Sequence, residues 1–221
     1  NAPIAENVAP MLSDLGVMLP CSGLHLMLMK QFNRPMIATS GNESGEPMVT
    51  STSSAQQQLS MLADFFVHHN RDICHKLDDS VLRTVMSGAI PFRLGRGLSP
   101  LELTLPYDVE EPLLAVGANQ KNTVSFAWKN RLVVTPHIGD LDSPIMQAHF
   151  EKCISDFQDL YHVSPQRILC DRHPGYISSR WAKDSPLPSS EILHHRAHAS
   201  AWALSAEVSS PSLVFVWDGA G

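Results

Sequence analysis

The sharpest chemical feature of the chain is His194-His195-Arg196-Ala197-His198, set where a strand pattern gives way to a helix pattern. His194 and His198 are four residues apart, so on a helix they share one face. Two imidazoles on one face are a common beginning of a metal site. The second position is His195, not glutamate, which excludes the zinc-protease pattern HExxH and its built-in base. The plain alternative is a solvated histidine cluster in a chain that has 11 histidines. Asp218 is the natural third ligand. It closes the apolar run Leu213 to Trp217 and opens the sequence Asp-Gly-Ala-Gly. In open α/β sheets, ligands bind beyond the carboxyl ends of strands, where His194 and Asp218 would both lie. An ordinary Asp-Gly turn would read the same way.

Three further places suit anions. Ser40 to Pro47 (SGNESGEP) follows a strand pattern and precedes a helix pattern, so Ser40, Asn42 and Ser44 can offer donors from a pliant backbone. Arg93 and Arg96, beside Gly95 and Gly97, can clamp a phosphate; their alternative is solvated surface. Gly117 to Thr123 (GANQKNT) joins two strand patterns, and its glycine and Lys121 suit phosphate approach. It is not GxxxxGK[ST], so it is not a P-loop, and an ordinary hairpin would also fit. Cys21, Cys74, Cys153 and Cys170 form no CxxC and sit in apolar or strand contexts. They read as packing residues and reduced cytoplasmic thiols, not as nucleophiles or zinc ligands.

The elements that must position these residues alternate. Gly23 to Phe32 reads as a helix capped by Ser22, Met36 to Thr39 as a short buried strand, about Ser53 to Ala63 as a helix, and Phe65 to Val67 as a strand. Ser80 to Met86 and Ala89 to Arg93 read as strands turning at Ser87-Gly88. Tyr107 to Pro112 is acidic and extended, and a domain boundary is placed there. Beyond it come a strand at Leu113 to Val116, a hairpin of Thr123 to Trp128 and Leu132 to Thr135 around Lys129-Asn130, and a long helix from Ser143 to Tyr161. Arg167 to Cys170 (strand), Gly175 to Lys183 (helix), Glu191 to Leu193 (strand), His195 to Glu207 (helix) and Leu213 to Trp217 (strand) follow. Three meandering strands followed by alternating helices and strands is the order of a ribonuclease-H-like half, two of which make an actin-like ATPase fold.

Length and charge bound the rest. The 221 residues suffice for one or two domains. An apolar share of 43% excludes a disordered chain. A net charge of −6 argues against a basic, nucleic-acid-coating surface. No apolar run approaches the roughly 18 residues of a membrane helix, and no signal peptide opens the chain. The start at Asn1 suggests a piece of a longer protein.

Taken together, the motifs resemble one family: the HypF carbamoyltransferases that mature [NiFe] hydrogenases. The matching strings are LGVMLP at Leu15, TSGNESGEP at Thr39, HNRD at His69, DDSVLR at Asp78, Arg96-Gly97, Gly117 to Thr123, HIGDL at His137, HPGY at His173, the His194 cluster and Asp218-Gly219. The family usually has a third consecutive histidine where this chain has Arg196. The resemblance implies an α/β chain in two parts. Residues 1–108 would be the C-terminal part of a YrdC-like domain, and residues 109–221 the first half of an actin-like carbamoyltransferase domain, ribonuclease-H-like in fold. It implies ATP, with magnesium, and carbamoyl phosphate as substrates, formation of a carbamoyl-adenylate, and transfer of the carbamoyl group to the C-terminal cysteine of a HypE-type protein. It also implies nucleotide binding by Ser40, Asn42, Ser44, Arg93, Arg96 and Lys121, and zinc or iron on His194, His198 and Asp218. A cytoplasmic protein with no membrane or nucleic-acid partner is expected. The competing readings are an O-carbamoyltransferase of natural-product biosynthesis, which carries the same two domains in the opposite order, and a nucleotide-binding module without chemistry.

Overall fold

The computed structural model describes residues 4–43, 45–86, 88–206, 208 and 210–218. The chain divides into two units, Asn1–Ser40 and Gly41–Gly221.

The described residues of the first unit hold a 3₁₀ turn, Glu6–Val8, and helix α1, Gly23–Phe32. As expected, Ser22 caps α1: its Oγ accepts the His25 N–H at 3.2 Å. Asn33 ends it in the left-handed region at φ 51°. Met36 to Thr39, expected to be a buried strand, is exposed and takes part in no ladder among the described residues. Apolarity marks a segment for burial, but a strand also needs a neighbour to satisfy its backbone.

The second unit begins with helix α2, Thr52–Gln58, capped by Ser51 and shorter than expected because the chain leaves helical geometry at Leu59. Phe65 to Val67 is likewise no strand, and Phe65 is 91% exposed. Strands β1, Val81–Val85, and β2, Gly88–Arg93, pair antiparallel as a separate sheet. The turn expected at Ser87-Gly88 falls partly outside the described residues, which omit Ser87.

The main sheet has the order β4-β3-β5-β6, with β3 Leu101–Ala115, β4 Ser125–Val134, β5 Arg167–Asp171 and β6 Ser189–Ile192. β3 and β4 are antiparallel, whereas β3, β5 and β6 run parallel. β4 doubles back on itself. Ten straight strand residues would span about 33 Å, yet Thr135 N donates to Val124 O at 2.9 Å and Val124 N to Thr135 Oγ at 3.0 Å. The reversal falls at Lys129, at φ 51°, where the sequence pattern places the hairpin. β3 wraps this tip: Leu101 to Thr104 pair with Val134 to Arg131, Val109 meets Lys129, and Leu113 to Ala115 pair with Ala127 to Ser125. The acidic stretch Tyr107 to Pro112, read as an inter-domain boundary, therefore lies inside β3.

Helix α3, Pro144–Tyr161, buries Met146, Phe150 and Ile154, one residue per turn, and Ser143 Oγ accepts the Met146 N–H at its start. Phe150 meets Trp181 of helix α4, Ile177–Asp184, edge-on at 5.3 Å. The core beneath contains Val116, Val124, Phe126, Leu141, Phe150 and Ile168, all essentially solvent-free. Small buried residues, Ser178, Ser179 and Ala182, bring α4 close to the sheet. Helix α5, His194–Ser205, follows β6 after one residue. From Leu113 to α5, the element order is the one the sequence predicts. Leu213 to Trp217, expected as a further strand, has no ladder partner among the described residues, and Leu213, Phe215 and Trp217 are 82%, 70% and 92% exposed. Glu207, the expected end of the last helix, and the Gly219 to Gly221 tail of the Asp-Gly-Ala-Gly sequence lie outside the described residues. No helix among the described residues is long and apolar enough to cross a membrane.

Candidate functional site

β5 and β6 run parallel, so their carboxyl ends, Asp171 and Ile192, lie side by side. His194 opens α5 just past β6, and one helical turn carries His198 onto the same face. The sequence-predicted trio comes together there. His194 Nε2 lies 2.8 Å from Asp218 Oδ2 and 3.1 Å from His198 Nε2, and His198 Nε2 lies 4.0 Å from the same Asp218 oxygen. These three atoms fall within 4.8 Å of one another. Ligands about 2.0–2.1 Å from one ion are separated by roughly 3–3.5 Å, so the set fits a single divalent cation.

Asp171, which sequence reasoning passed over, reaches the other side of the ring. Its Oδ2 is 2.6 Å from His194 Nδ1. That hydrogen bond holds the His194 imidazolium above its usual range; partial burial opposes it, and the Asp171 and Asp218 charges add to it. Tyr176 stands edge-on to His194 at 6.5 Å and stacks on His173 at 4.2 Å. The hollow beside the trio, about 530 Å³, is lined by His198, Trp202 and residues 213–218.

The loop Gly117 to Thr123 leaves the adjoining strand β3 and is tightly tied. Asn119 Nδ2 donates to Asp142 Oδ1, and Asn119 Oδ1 accepts the Ile177 N–H that opens α4. Buried Asn122 donates to Val116 O at 2.9 Å and also to Ala118 O. Gly117 sits at φ 65°, and a Cβ there would meet Thr123 O at 2.4 Å. Lys121 keeps an exposed side chain while its N–H donates to Asp140 Oδ1 at 2.7 Å. The loop thus presents Lys121 from a rigid base.

The remaining candidates are distributed differently. Asn42 turns its amide inward, donating to Glu43 O and Glu46 O, both at 2.8 Å, and its buried Oδ1 has no partner among the described residues. It borders an open hollow of about 700 Å³ with Gln57, Gln58, Met61 and Leu62. Ser40 is exposed at the end of the first unit, and Ser44 lies outside the described residues. Arg93 Nη1 is 3.8 Å from Asp78 Oδ2, and Arg96 binds Asp79 Oδ1 through Nη2 and Nε at 2.6 and 3.0 Å. Each arginine already answers to an aspartate, a pairing not foreseen from sequence. Of the cysteines, all free, Cys170 is buried and Cys153 half-buried, with burial pushing the Cys153 thiol up to about 11. Cys21 and Cys74 are exposed and are not the packing residues expected.

This α/β architecture, with its histidine pair at the sheet's carboxyl edge, matches a composite class of proteins. Residues 108–205 match the family model described as the HypF Kae1-like domain, and residues 1–95 match the Sua5/YciO/YrdC model, described as "Telomere recombination". The chain is 39% identical to the carbamoyltransferase HypF of Synechocystis over 99% of its own length and 29% of that protein. It is 33% identical to the Rhodobacter capsulatus HypF over 90% of its length and 27% of that protein. The crystal structure of full-length HypF in the phosphate- and nucleotide-bound form superposes with a TM-score of 0.85 at 34% identity, covering 89% of this chain and 31% of that one. The crystal structure of T.kodakarensis HypF gives the same TM-score at 31% identity, covering 93% of this chain and 28% of that one. The chain belongs to the HypF carbamoyltransferase family: a YrdC-like part followed by a Kae1-like, ribonuclease-H-like part. It spans less than a third of the relatives it matches.

Proposed function

We propose that this chain contributes the nucleotide-handling and acyl-transfer parts of an ATP-dependent carbamoyltransferase acting in [NiFe] hydrogenase maturation. Residues 1–108 serve adenylation and residues 109–221 serve transfer. Carbamate, released from carbamoyl phosphate, attacks the α-phosphate of magnesium-bound ATP. The new O–P bond replaces the one to pyrophosphate, and carbamoyl-adenylate results. The C-terminal cysteine thiolate of a HypE-type acceptor then attacks the carbamoyl carbon and expels AMP.

The observation that carries this reading is the convergence of His194 Nε2, His198 Nε2 and Asp218 Oδ2. Two imidazoles and one carboxylate suit zinc or iron, which when bound would act as a Lewis acid toward the carbamoyl or phosphate oxygens. His194, His198 and Asp218 would hold it. Lys121 stands ready for phosphate charge, and the Asn42 loop and Arg93 and Arg96 serve the nucleotide in the first half-reaction. The relatives named carbamoyltransferase support the reaction class. The reading places the protein in the cytoplasm, with no nucleic-acid or membrane partner.

The test is carbamoyl-phosphate-dependent ATP–pyrophosphate exchange, and transfer of labelled carbamoyl to a HypE-type acceptor, in the full-length protein. His194→Ala should abolish transfer while exchange persists. Exchange without carbamoyl phosphate, or full transfer by the variant, would overturn the assignment.

A further inference from the structure

We propose that Asp171 is a positioning residue that holds the His194 Nδ1–H and so keeps Nε2 turned toward Asp218 and His198 as the ligating nitrogen. The inference rests on the metal reading of that trio.

A carboxylate only accepts, so a 2.6 Å contact with His194 Nδ1 requires that nitrogen to carry the proton. Nε2 is then the nitrogen that faces the trio, with Asp218 Oδ2 2.8 Å and His198 Nε2 3.1 Å away. By the same rule the Asp218 carboxylate calls for a proton on Nε2 in the metal-free ring. Ligation through Nε2 would release that proton alone and leave Nδ1–H on Asp171.

Asp171 is built to hold this geometry. Its side chain is 9% exposed, against 31% for His194. Oδ1 accepts the His173 N–H at 2.8 Å, leaving Oδ2 for the imidazole. Its carbonyl accepts the hydroxyl of fully buried Ser179 at 2.8 Å, and the Arg172 N–H donates to Ile192 O at 3.0 Å. The carboxylate is therefore fixed by both the sheet and α4. A ligating histidine whose second nitrogen is held by a carboxylate is oriented and made more basic, and losing such a partner typically lowers metal affinity 10- to 100-fold.

Asp171 also serves the turn at His173, so the test must separate the two roles. Asp171→Asn does so. Its oxygen can still accept the His173 N–H, while its amide N–H now faces His194 Nδ1 and favours a proton on Nε2. Long-range ¹H–¹⁵N imidazole spectra of the metal-free full-length protein should report a proton on His194 Nδ1, and an unprotonated Nδ1 in Asp171→Asn. Zinc affinity, from chelator competition with Zn²⁺ alone, should fall at least tenfold, with the unfolding midpoint preserved. An unprotonated His194 Nδ1 in the unsubstituted protein, the same Nδ1 state in both proteins, or a zinc Kd changed less than threefold would overturn the proposal. If His198→Ala leaves zinc binding intact, the metal reading fails, and the imidazole spectra still decide the role of Asp171.

Discussion

Arg96 places Nε and Nη2 on a single oxygen, Asp79 Oδ1, with both side chains about half exposed. A pair so open to water is worth only about 0.2–1 kcal/mol, so a phosphate can compete for the guanidinium at small expense. Arg96→Ala should lower ATP affinity in the full-length protein at least tenfold while changing folding stability by less than about 1 kcal/mol. A large stability loss with unchanged ATP affinity would make Arg96 a structural residue and remove it from the nucleotide site.

Asn42 acts through its loop. Two N–H donors close the loop over Glu43 O and Glu46 O, and Oδ1 is left for a ligand donor or a water. Asn42→Ala removes both functions and is expected to weaken nucleotide binding by about 1–3 kcal/mol. Titration calorimetry with ATP is the direct measurement. An unchanged Kd would separate this loop from the nucleotide site.

Several of these features were legible in the sequence because their signals are local. The His194 and His198 spacing, the Ser22 cap and the Lys129 reversal each occupy a few adjacent residues. Asp171 was not legible. It acts on a histidine 23 residues away through the parallel pairing of β5 with β6. A usable signal existed, since an acidic residue ended the strand preceding the one that leads into His194. Leu101 to Thr104 were missed for the same reason, because their partners lie near Val134 across the whole hairpin. Met36 to Thr39 and Leu213 to Trp217 failed the other way: apolar content announced strands, but pairing decides them.

Two half-buried histidines make stability depend on pH. Burial holds His149 below its usual 6.5, as does the Lys76 charge, with Asp78 and Asp156 opposing and Lys152 adding. His137 is also lowered by burial, then by Arg93, with Asp78 and Asp140 opposing and Lys121 adding. The unfolded chain therefore binds protons at a higher pH than the folded one. Stability from these residues is complete above about pH 6.5 and is lost as pH falls through the lower folded values. Urea midpoints between about pH 8 and pH 5 should decline, and the His137→Gln/His149→Gln double variant should show a shallower decline. An equal slope in both proteins would assign the acid sensitivity elsewhere.

Gly117 and Gly45 form a matched pair, at φ 65° and φ 82°. Alanine at either position takes on a left-handed backbone, costing about 1–2 kcal/mol. Only at Gly117 would the new Cβ also strike backbone, Thr123 O at 2.4 Å, with Asn122 Nδ2 at 3.0 Å. Gly117→Ala should destabilise by about 2–4 kcal/mol and Gly45→Ala by about 1–2 kcal/mol, measured by urea unfolding. Equal losses would mean that the Gly117 loop yields easily and is not the rigid base of Lys121.

The metal reading makes a positional prediction within one short motif. His194 and His198 contribute two of the three convergent atoms, whereas the intervening His195 contributes none, although its ring lies edge-on to His194 at 6.1 Å. A generic surface cluster would bind zinc through whichever imidazoles are available. In a built site, α5 selects the i and i+4 rings and Asp218 closes the set. His194→Ala, His198→Ala and Asp218→Asn in the full-length protein should each weaken zinc binding at least tenfold, while His195→Ala should stay within threefold of the unsubstituted protein. Plasma emission analysis of the purified proteins and chelator competition give both numbers. If His195→Ala loses as much zinc as His194→Ala, the motif binds as a loose histidine cluster, and the three-atom site is refuted.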